Sequence, residues 1–323
     1  MFICPVCDKE MILPTCMKCG HCVSAVNGIW QFSNDPDLVI EGEGDKYLGY
    51  ESIGENYSGI QKYAIDEKWS IIAEKVSSLT NNGVFFDLAC GDGIITLPVA
   101  RHGTKIIGVD ISNSMLLVLK DKASKNKIDL NNVTLCRMNA YNLFIGDQCI
   151  DVAVANSMLH LMSNPEKVIS EIGRTLKKNG YYICFDDQPG GSEKQEDNAN
   201  NIRYHEIFSE VHRIYWDILM GQNIYPTKYS WNFDRDKLFS KFFSKKEEII
   251  LPYNKRLSIK MKDYDMPRFI SKGYSQQILV PRDAHKNAIN NTILQIKNKY
   301  GNDFEEEAQD VIESDIIMTL YRK

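Results

Sequence analysis

Two cysteine pairs, Cys4-Pro5-Val6-Cys7 and Cys16-Met17-Lys18-Cys19, stand within the first twenty residues. Cys-x-x-Cys repeated at short separation is the spacing at which four thiolates close a tetrahedron around one ion, and zinc suits it best. So small a segment buries too little core to fold unaided, so the metal would be structural and supply much of the folding energy. His21 and Cys22 are alternative fourth ligands, and a redox dithiol is a lesser reading. Cys90, Cys136, Cys149 and Cys184 are scattered through apolar segments as core thiols, so no disulfide framework is expected.

A different chemistry is written in Asp87-Leu88-Ala89-Cys90-Gly91-Asp92-Gly93. An acidic residue near the end of an apolar strand is followed by small residues and then a helical run. Such a turn lets backbone N–H groups and a helix N-terminus face a ligand. A tight strand-to-helix turn with no ligand is the bland alternative. Asp110 closes the next strand, where a carboxylate can accept hydrogen bonds from both hydroxyls of a ribose. A dinucleotide site wants a glycine or alanine three residues beyond Gly93, and Thr96 stands there. Adenosine without a pyrophosphate fits better.

These residues need a scaffold. Apolar runs at 84–88, 105–110, 133–136, 150–154 and 181–185 alternate with helical spacing at 94–101, 114–123 and 165–176, the last closed by Lys177-Lys178-Asn179-Gly180 as a basic turn with a glycine stop. Strand and helix in alternation predict an α/β fold with a parallel sheet covered on both faces. Residues 1–34 form the cysteine module, ending in the alternating Gly28-Ile29-Trp30-Gln31-Phe32; residues 35–80 form a linker and a helix. Residues 81–190 hold the cofactor-binding core. A polar, mobile connection runs to Asn201, and residues 191–300 supply an aromatic-rich cap and the remaining core. Residues 301–323 complete the sheet with a helix and a strand.

Asp87 through Gly93, Asp110-Ile111-Ser112, Met138-Asn139-Ala140 and Asp151 through His160 resemble, in order, the motifs of class I (Rossmann-like) S-adenosylmethionine-dependent methyltransferases. The resemblance covers about residues 50–187, and Ala89 stands where that family has its first glycine. It implies a seven-stranded, mostly parallel sheet with an α-rich cap after the fifth strand. It also implies S-adenosylmethionine as cofactor, with Ala89, Gly91 and Gly93 along the methionine part and Asp87 supporting the loop. Asp110 would hold the ribose, Ile111 would pack on the adenine, and Asn139, beside Ala140, would meet the adenine amino group. Asn156 would approach the methionine amine through its backbone, and Tyr57 would close over the cofactor or else pack beneath the linker. His160 stands where related small-molecule methyltransferases often carry a histidine near the transferred methyl; it is a general base for a hydroxyl or amine, or a packed side chain.

The N-terminal ribbon ahead of this core resembles ribosomal RNA guanine methyltransferases, whereas the region after Trp231 loosely resembles enzymes related to trans-aconitate methyltransferase. Charge separates the two. The formal net charge is -5 and the ribbon carries only Lys9 and Lys18, which disfavours RNA. A small-molecule acceptor is therefore the leading expectation, with O-, N- and C-methylation all open. A ribosomal or transfer RNA substrate and a non-catalytic scaffold binding a protein partner are the alternatives. Lys255, Arg256, Lys260 and Lys262 either face an anionic substrate or form a solvated surface, and His205 and His212 are either metal ligands or cap residues. No apolar run approaches the roughly 20 residues of a membrane helix, and Met1-Phe2-Ile3-Cys4-Pro5 does not read as a secretory signal. A cytoplasmic protein is expected.

Overall fold

In this computed structural model, residues 1–33, 65–185, 193–195, 199–226, 234–253, 255–277, 279–313 and 315–323 are described. The N-terminal module has four short strands, β1 (Phe2–Ile3), β2 (Glu10–Met11), β3 (Ala25–Val26) and β4 (Ile29–Gln31). Helix α1 (Ile65–Thr80) precedes the alternating core: β5 (Val84–Leu88), α2 (Thr96–Ala100), β6 (Lys105–Asp110), α3 (Asn113–Lys125), β7 (Val133–Arg137), β8 (Ile150–Val154), α4 (Pro165–Thr175) and β9 (Leu176–Phe185). Side chains cap two of these helices: Ser112 Oγ accepts from the Met115 amide at 3.2 Å, and Asn164 Oδ1 accepts from the Lys167 amide at 3.1 Å ahead of Pro165.

Strands β5 to β9 pair in parallel, β5 lying between β6 and β8. Alternation decides which face each residue covers. Val84, Phe86 and Leu88 join the core under α4, and Phe85 joins the opposite core with Ile72 and Val76 of α1. Two later strands, β11 (Lys245–Leu251) and β14 (Ile316–Arg322), extend the sheet antiparallel beyond β9.

The seven strands expected of the core are present, in the order β11-β14-β9-β8-β5-β6-β7, and among the described residues two more, β4 and β3, extend the sheet to nine. The additional pair comes from the cysteine module: β4 pairs in parallel with β7 through Trp30↔Cys136 and Gln31↔Arg137, and β3 closes the edge. The module therefore does not end as a separate unit. Phe32 stacks between Phe2 and Phe144, at centroid distances of 5.5 and 5.7 Å, and welds the module to the core.

The Lys177-to-Gly180 stop also fails. Helix α4 ends at Thr175, and β9 already includes residues 176–180, where Lys177 forms a 2.8 Å ion pair with Asp151 of the neighbouring β8. The cap is not purely helical, nor drawn from one insertion. Strand β10 (Glu193–Gln195), within the polar stretch expected to be a mobile connection, and helix α5 (Ala199–Met220) follow the fifth core strand; α6 (Arg235–Phe239) then leads back to β11. A second excursion supplies β12 (Lys255–Lys260), α7 (Asp265–Ile270), α8 (Arg282–Tyr300) and β13 (Ala308–Glu313). Strands β10, β13 and β12 form their own antiparallel sheet, so the helix expected in residues 301–323 is only a single turn at Phe304–Glu306. Tyr204, Tyr215, Phe269 and Ile296 are among the side chains of the separate cap core. No helix among the described residues is long and apolar enough to cross a membrane.

Candidate functional site

The four cysteines meet. Their sulfur atoms all lie within 4.8 Å of one another, with Cys4 Sγ 3.6 Å from Cys19 Sγ and Cys7 Sγ 3.6 Å from Cys16 Sγ. A tetrahedral ion with sulfur bonds of about 2.3 Å sets its ligands about 3.8 Å apart, so the cluster has the dimensions of a metal site. Both knuckles fold alike: Cys4 donates its amide to Lys9 O and accepts from Asp8 N, while Cys16 donates to His21 O and accepts from Gly20 N. Asp8 and Gly20 take the left-handed conformation that closes each loop. Cys22 lies outside the group, beside Thr15, and His21 takes part through its backbone carbonyl.

A cavity of about 380 Å³ opens where the chain reverses direction across the sheet, β6 and β7 lying to one side of β5 and β8 and β9 to the other. That crevice outside the carboxyl ends of parallel strands is where open α/β sheets bind ligands. Ala89 and Gly91 after β5, Asp110 and Ile111 at the end of β6, Asn139 and Ala140 after β7, and Asn156 and His160 after β8 all line it. Trp69 from α1 and Arg268 and Gly273 from the cap also reach it. Tyr57 falls outside the described residues.

Asp110 ties two strand ends together. Only 8% exposed, it accepts from the Gly91 amide on Oδ2 at 2.9 Å and from the Ser112 amide on Oδ1 at 2.8 Å. A carboxylate offers about four acceptor sites, so these two bonds leave the group chemically able to serve a ribose as well. Arg137 supports the adjoining wall by donating Nε–H to Ile111 O at 3.0 Å. Asn139 Oδ1 accepts from the Tyr141 amide at 2.9 Å, and the Asn139 amide donates to Ser33 Oγ at 3.1 Å, so the segment leaving β4 buttresses this wall directly.

Asp87 and Gly93 stand behind the lining. Asp87 is buried and accepts from the Thr96 hydroxyl at 2.6 Å at the start of α2; burial pushes its carboxyl up to about 7, against the opposing pull of that hydroxyl. Gly93 has φ +86, and a Cβ there would fall 2.7 Å from Leu119 Cγ and 2.8 Å from Leu97 Cγ. Its role is to let α3 pack against the turn. Gly93→Ala is thus expected to destabilise the fold by about 2–5 kcal/mol, combining a left-handed alanine with overpacking, measurable by urea unfolding. Gly91 differs: at φ +52 its Cβ would meet only Met115 Cε at 3.4 Å and Ala89 O at 3.9 Å, which leaves the approach to its backbone open. Ala89 adopts φ +58, a conformation glycine takes without cost and alanine does not.

Several residues escaped the sequence reading. Asp92, 3% exposed, lines the cavity and is ion-paired with Lys122 of α3. Trp69 and Arg268 are far in sequence from any motif. Of the basic residues in and after β12, Lys255 pairs with Glu67, and Lys260 and Lys262 pair with Glu306, all on the surface. His212 is packed against the rings of Phe208 and Phe269 at 4.7 and 4.8 Å, and His205 lies edge-on to Tyr204. Among the described residues, the only cluster with metal-ligating geometry is the four cysteines.

Residues 86–184 match the family model described as a methyltransferase domain. A ubiquinone/menaquinone biosynthesis C-methyltransferase of Hydrogenovibrio crunogenus is 28% identical over 157 residues, covering 46% of this chain and 61% of that protein. A demethylmenaquinone methyltransferase of Symbiobacterium thermophilum is 33% identical over 146 residues, covering 42% of this chain and 57% of that protein. The chain thus spans about three fifths of the length of these relatives. The YcgJ protein of Bacillus subtilis superposes with a TM-score of 0.45 at 16% identity, covering 80% of this chain and 98% of that one.

Proposed function

We propose that this chain, whose residues 86–184 are a methyltransferase domain of the class I, S-adenosylmethionine-dependent kind, transfers a methyl group from that cofactor to a small-molecule acceptor. One observation carries the reading: Gly91, Asp110, Ile111, Asn139 and Asn156, from four strand ends, line one cavity that the cap closes from the other side with Arg268 and Gly273. A site roofed by a cap suits a metabolite. The cofactor supplies an activated methyl on a sulfonium; holding and aligning it falls to the chain. Asp110 accepts from the ribose hydroxyls, the Gly91 backbone admits the methionine end, and Met158, Leu161 and Met162 exclude water from the transfer path. Cys4, Cys7, Cys16 and Cys19 hold a structural zinc ion away from the chemistry.

His160 has a limited part. Burial lowers its imidazole to about 4, so at neutral pH the ring is uncharged and a weak base. It orients the acceptor by accepting a hydrogen bond, and in-line positioning carries most of the rate. Because protonation sets in only near pH 4, kcat/KM is expected to show no His160-dependent inflection around 6.5. An acidic limb near 6.5 that His160→Gln abolishes would refute this assignment.

The proposed activity is tested by titrating the protein with S-adenosylhomocysteine in a calorimeter, then following tritiated methyl transfer into a small-metabolite pool and total RNA in parallel. Binding with label in the small-molecule fraction is expected. Failure to bind, or label confined to RNA, overturns the reading.

A further inference from the structure

We propose that Tyr141 is a positioning residue for methyl transfer: its hydroxyl fastens the turn that carries His160 to the loop that leaves β7. The inference rests on the methyl-transfer reading above, since it concerns how the same cavity is kept in shape for the reaction.

The turn joins the end of β8 to the start of α4. Met158, His160, Leu161 and Met162 all line the cavity. Their backbone makes one tight turn, in which the Leu161 amide donates to Met158 O at 2.9 Å and the Met162 amide to Leu159 O at 3.2 Å. Two such bonds over five residues fix little by themselves, because a single turn is close to the costly nucleus of a helix. Ser157, at the entrance, adopts φ +51, a left-handed conformation that a serine holds only where its surroundings impose it. The turn therefore depends on contacts with the rest of the chain.

Tyr141 supplies such a contact. Only 9% exposed, it accepts through its hydroxyl oxygen from the Asn164 amide at 3.1 Å and is hydrogen-bonded to Ser163 Oγ at 3.0 Å; these are the two residues that follow Met162. Asn164 is a junction, since its side chain caps α4 while its amide is held by the tyrosine. The backbone of Tyr141 is tied on the other side: its amide donates to Asn139 Oδ1 at 2.9 Å, and Asn139 and Ala140 line the cavity after β7. One aromatic side chain thus joins loops 22 residues apart in sequence and sets the separation of two walls of one cavity. In-line transfer is sensitive to that separation, a displacement of about 1 Å costing about a hundred-fold in rate.

Tyr141→Phe keeps the ring and drops the hydroxyl. In this variant the amides of Leu161, Met162 and Asn164 are expected to exchange with solvent about ten-fold faster, as one hydrogen bond of ordinary strength would give. S-adenosylhomocysteine, titrated by calorimetry, counts the intact sites. Its affinity and the KM for S-adenosylmethionine should stay within about two-fold, while methyl transfer per site into a fixed small-metabolite pool falls about ten-fold or more. Ser163→Ala, which leaves the Asn164 bond in place, should have a smaller effect in the same direction and none when added to Tyr141→Phe. A merely structural hydroxyl would lower the urea midpoint and leave the rate per site where it was; that result overturns the proposal. Unchanged exchange in the turn, a loss of S-adenosylhomocysteine affinity in step with the rate, or Ser163→Ala acting equally with and without the Tyr141 hydroxyl does so too. Failure of the unaltered protein to bind S-adenosylhomocysteine or to label the small-molecule fraction is a separate result: it removes the methyl-transfer reading itself, and this proposal with it.

Discussion

Replacing Cys16 by serine is expected to unfasten the N-terminal module and the edge of the main sheet together. Cys16 is fully buried, its sulfur 3.6 Å from that of Cys7, and it belongs to the same apolar cluster as Phe86 and Leu143 of the core. Without four ligands the knuckles could not hold the proposed zinc ion, and the short strands β1 to β4 would not hold by hydrogen bonding alone. Phe2 and Phe32, 8% and 6% exposed, would return to water at about 1.5–3 kcal/mol each. The effect then reaches the wall of the cavity. The amides of Phe32 and Ser33 both donate to Arg137 O, at 3.1 and 3.2 Å, and Ser33 Oγ receives the Asn139 amide. Zinc content, hydrogen-exchange protection over residues 133–139 and affinity for S-adenosylhomocysteine should therefore fall together in Cys16→Ser, and a strong chelator should reproduce all three. A variant that keeps its melting temperature and its exchange protection would show that no metal closes the cluster.

The same coupling marks the boundary of what could be read from the chain beforehand. The cysteine knuckles and the 87–93 turn are local: each is a contiguous run whose residue types impose their own geometry, so both were visible. Strand ends carrying Asp110 and Asn139 followed from apolar alternation, which also determines the face each residue covers. The parallel pairing of β4 with β7 was not visible, since Trp30 and Cys136 are joined only in space and residues 28–32 alternate equally well as the last strand of an isolated ribbon. Glycine spacing carries a second meaning at one point: Gly93 reads as a ligand contact in the sequence, and its missing side chain makes room for Leu97 and Leu119. Lys177-to-Gly180 has the composition of a helix stop, but pairing along β8 and the Asp151 carboxylate draw it into a strand. Trp69 and Arg268 carry no local signature at all; a cap assembled from two excursions brings its residues to the cavity by tertiary packing alone.

Asp110→Ala is expected to lower affinity for S-adenosylhomocysteine by about a hundred-fold. Each hydrogen bond from a ribose hydroxyl to a carboxylate is worth about 1.5–3 kcal/mol, and two of them correspond to about two orders of magnitude or more. Part of the loss would be indirect, because the same carboxylate receives the Gly91 and Ser112 amides at 2.9 and 2.8 Å and so sets the spacing between the first two strand ends. Asp110→Asn separates the contributions. An amide presents two donors where the carboxylate has acceptors, so one of those backbone N–H groups would face an N–H in a nearly buried site. The asparagine variant should therefore be destabilised, while alanine leaves both amides without their carboxylate but introduces no opposed donors. Calorimetric titration of both variants, paired with urea unfolding, measures binding and stability apart. Retention of wild-type affinity by the alanine variant, with its stability intact, would take the ribose away from Asp110 and leave that residue a purely structural tie between β5 and β6.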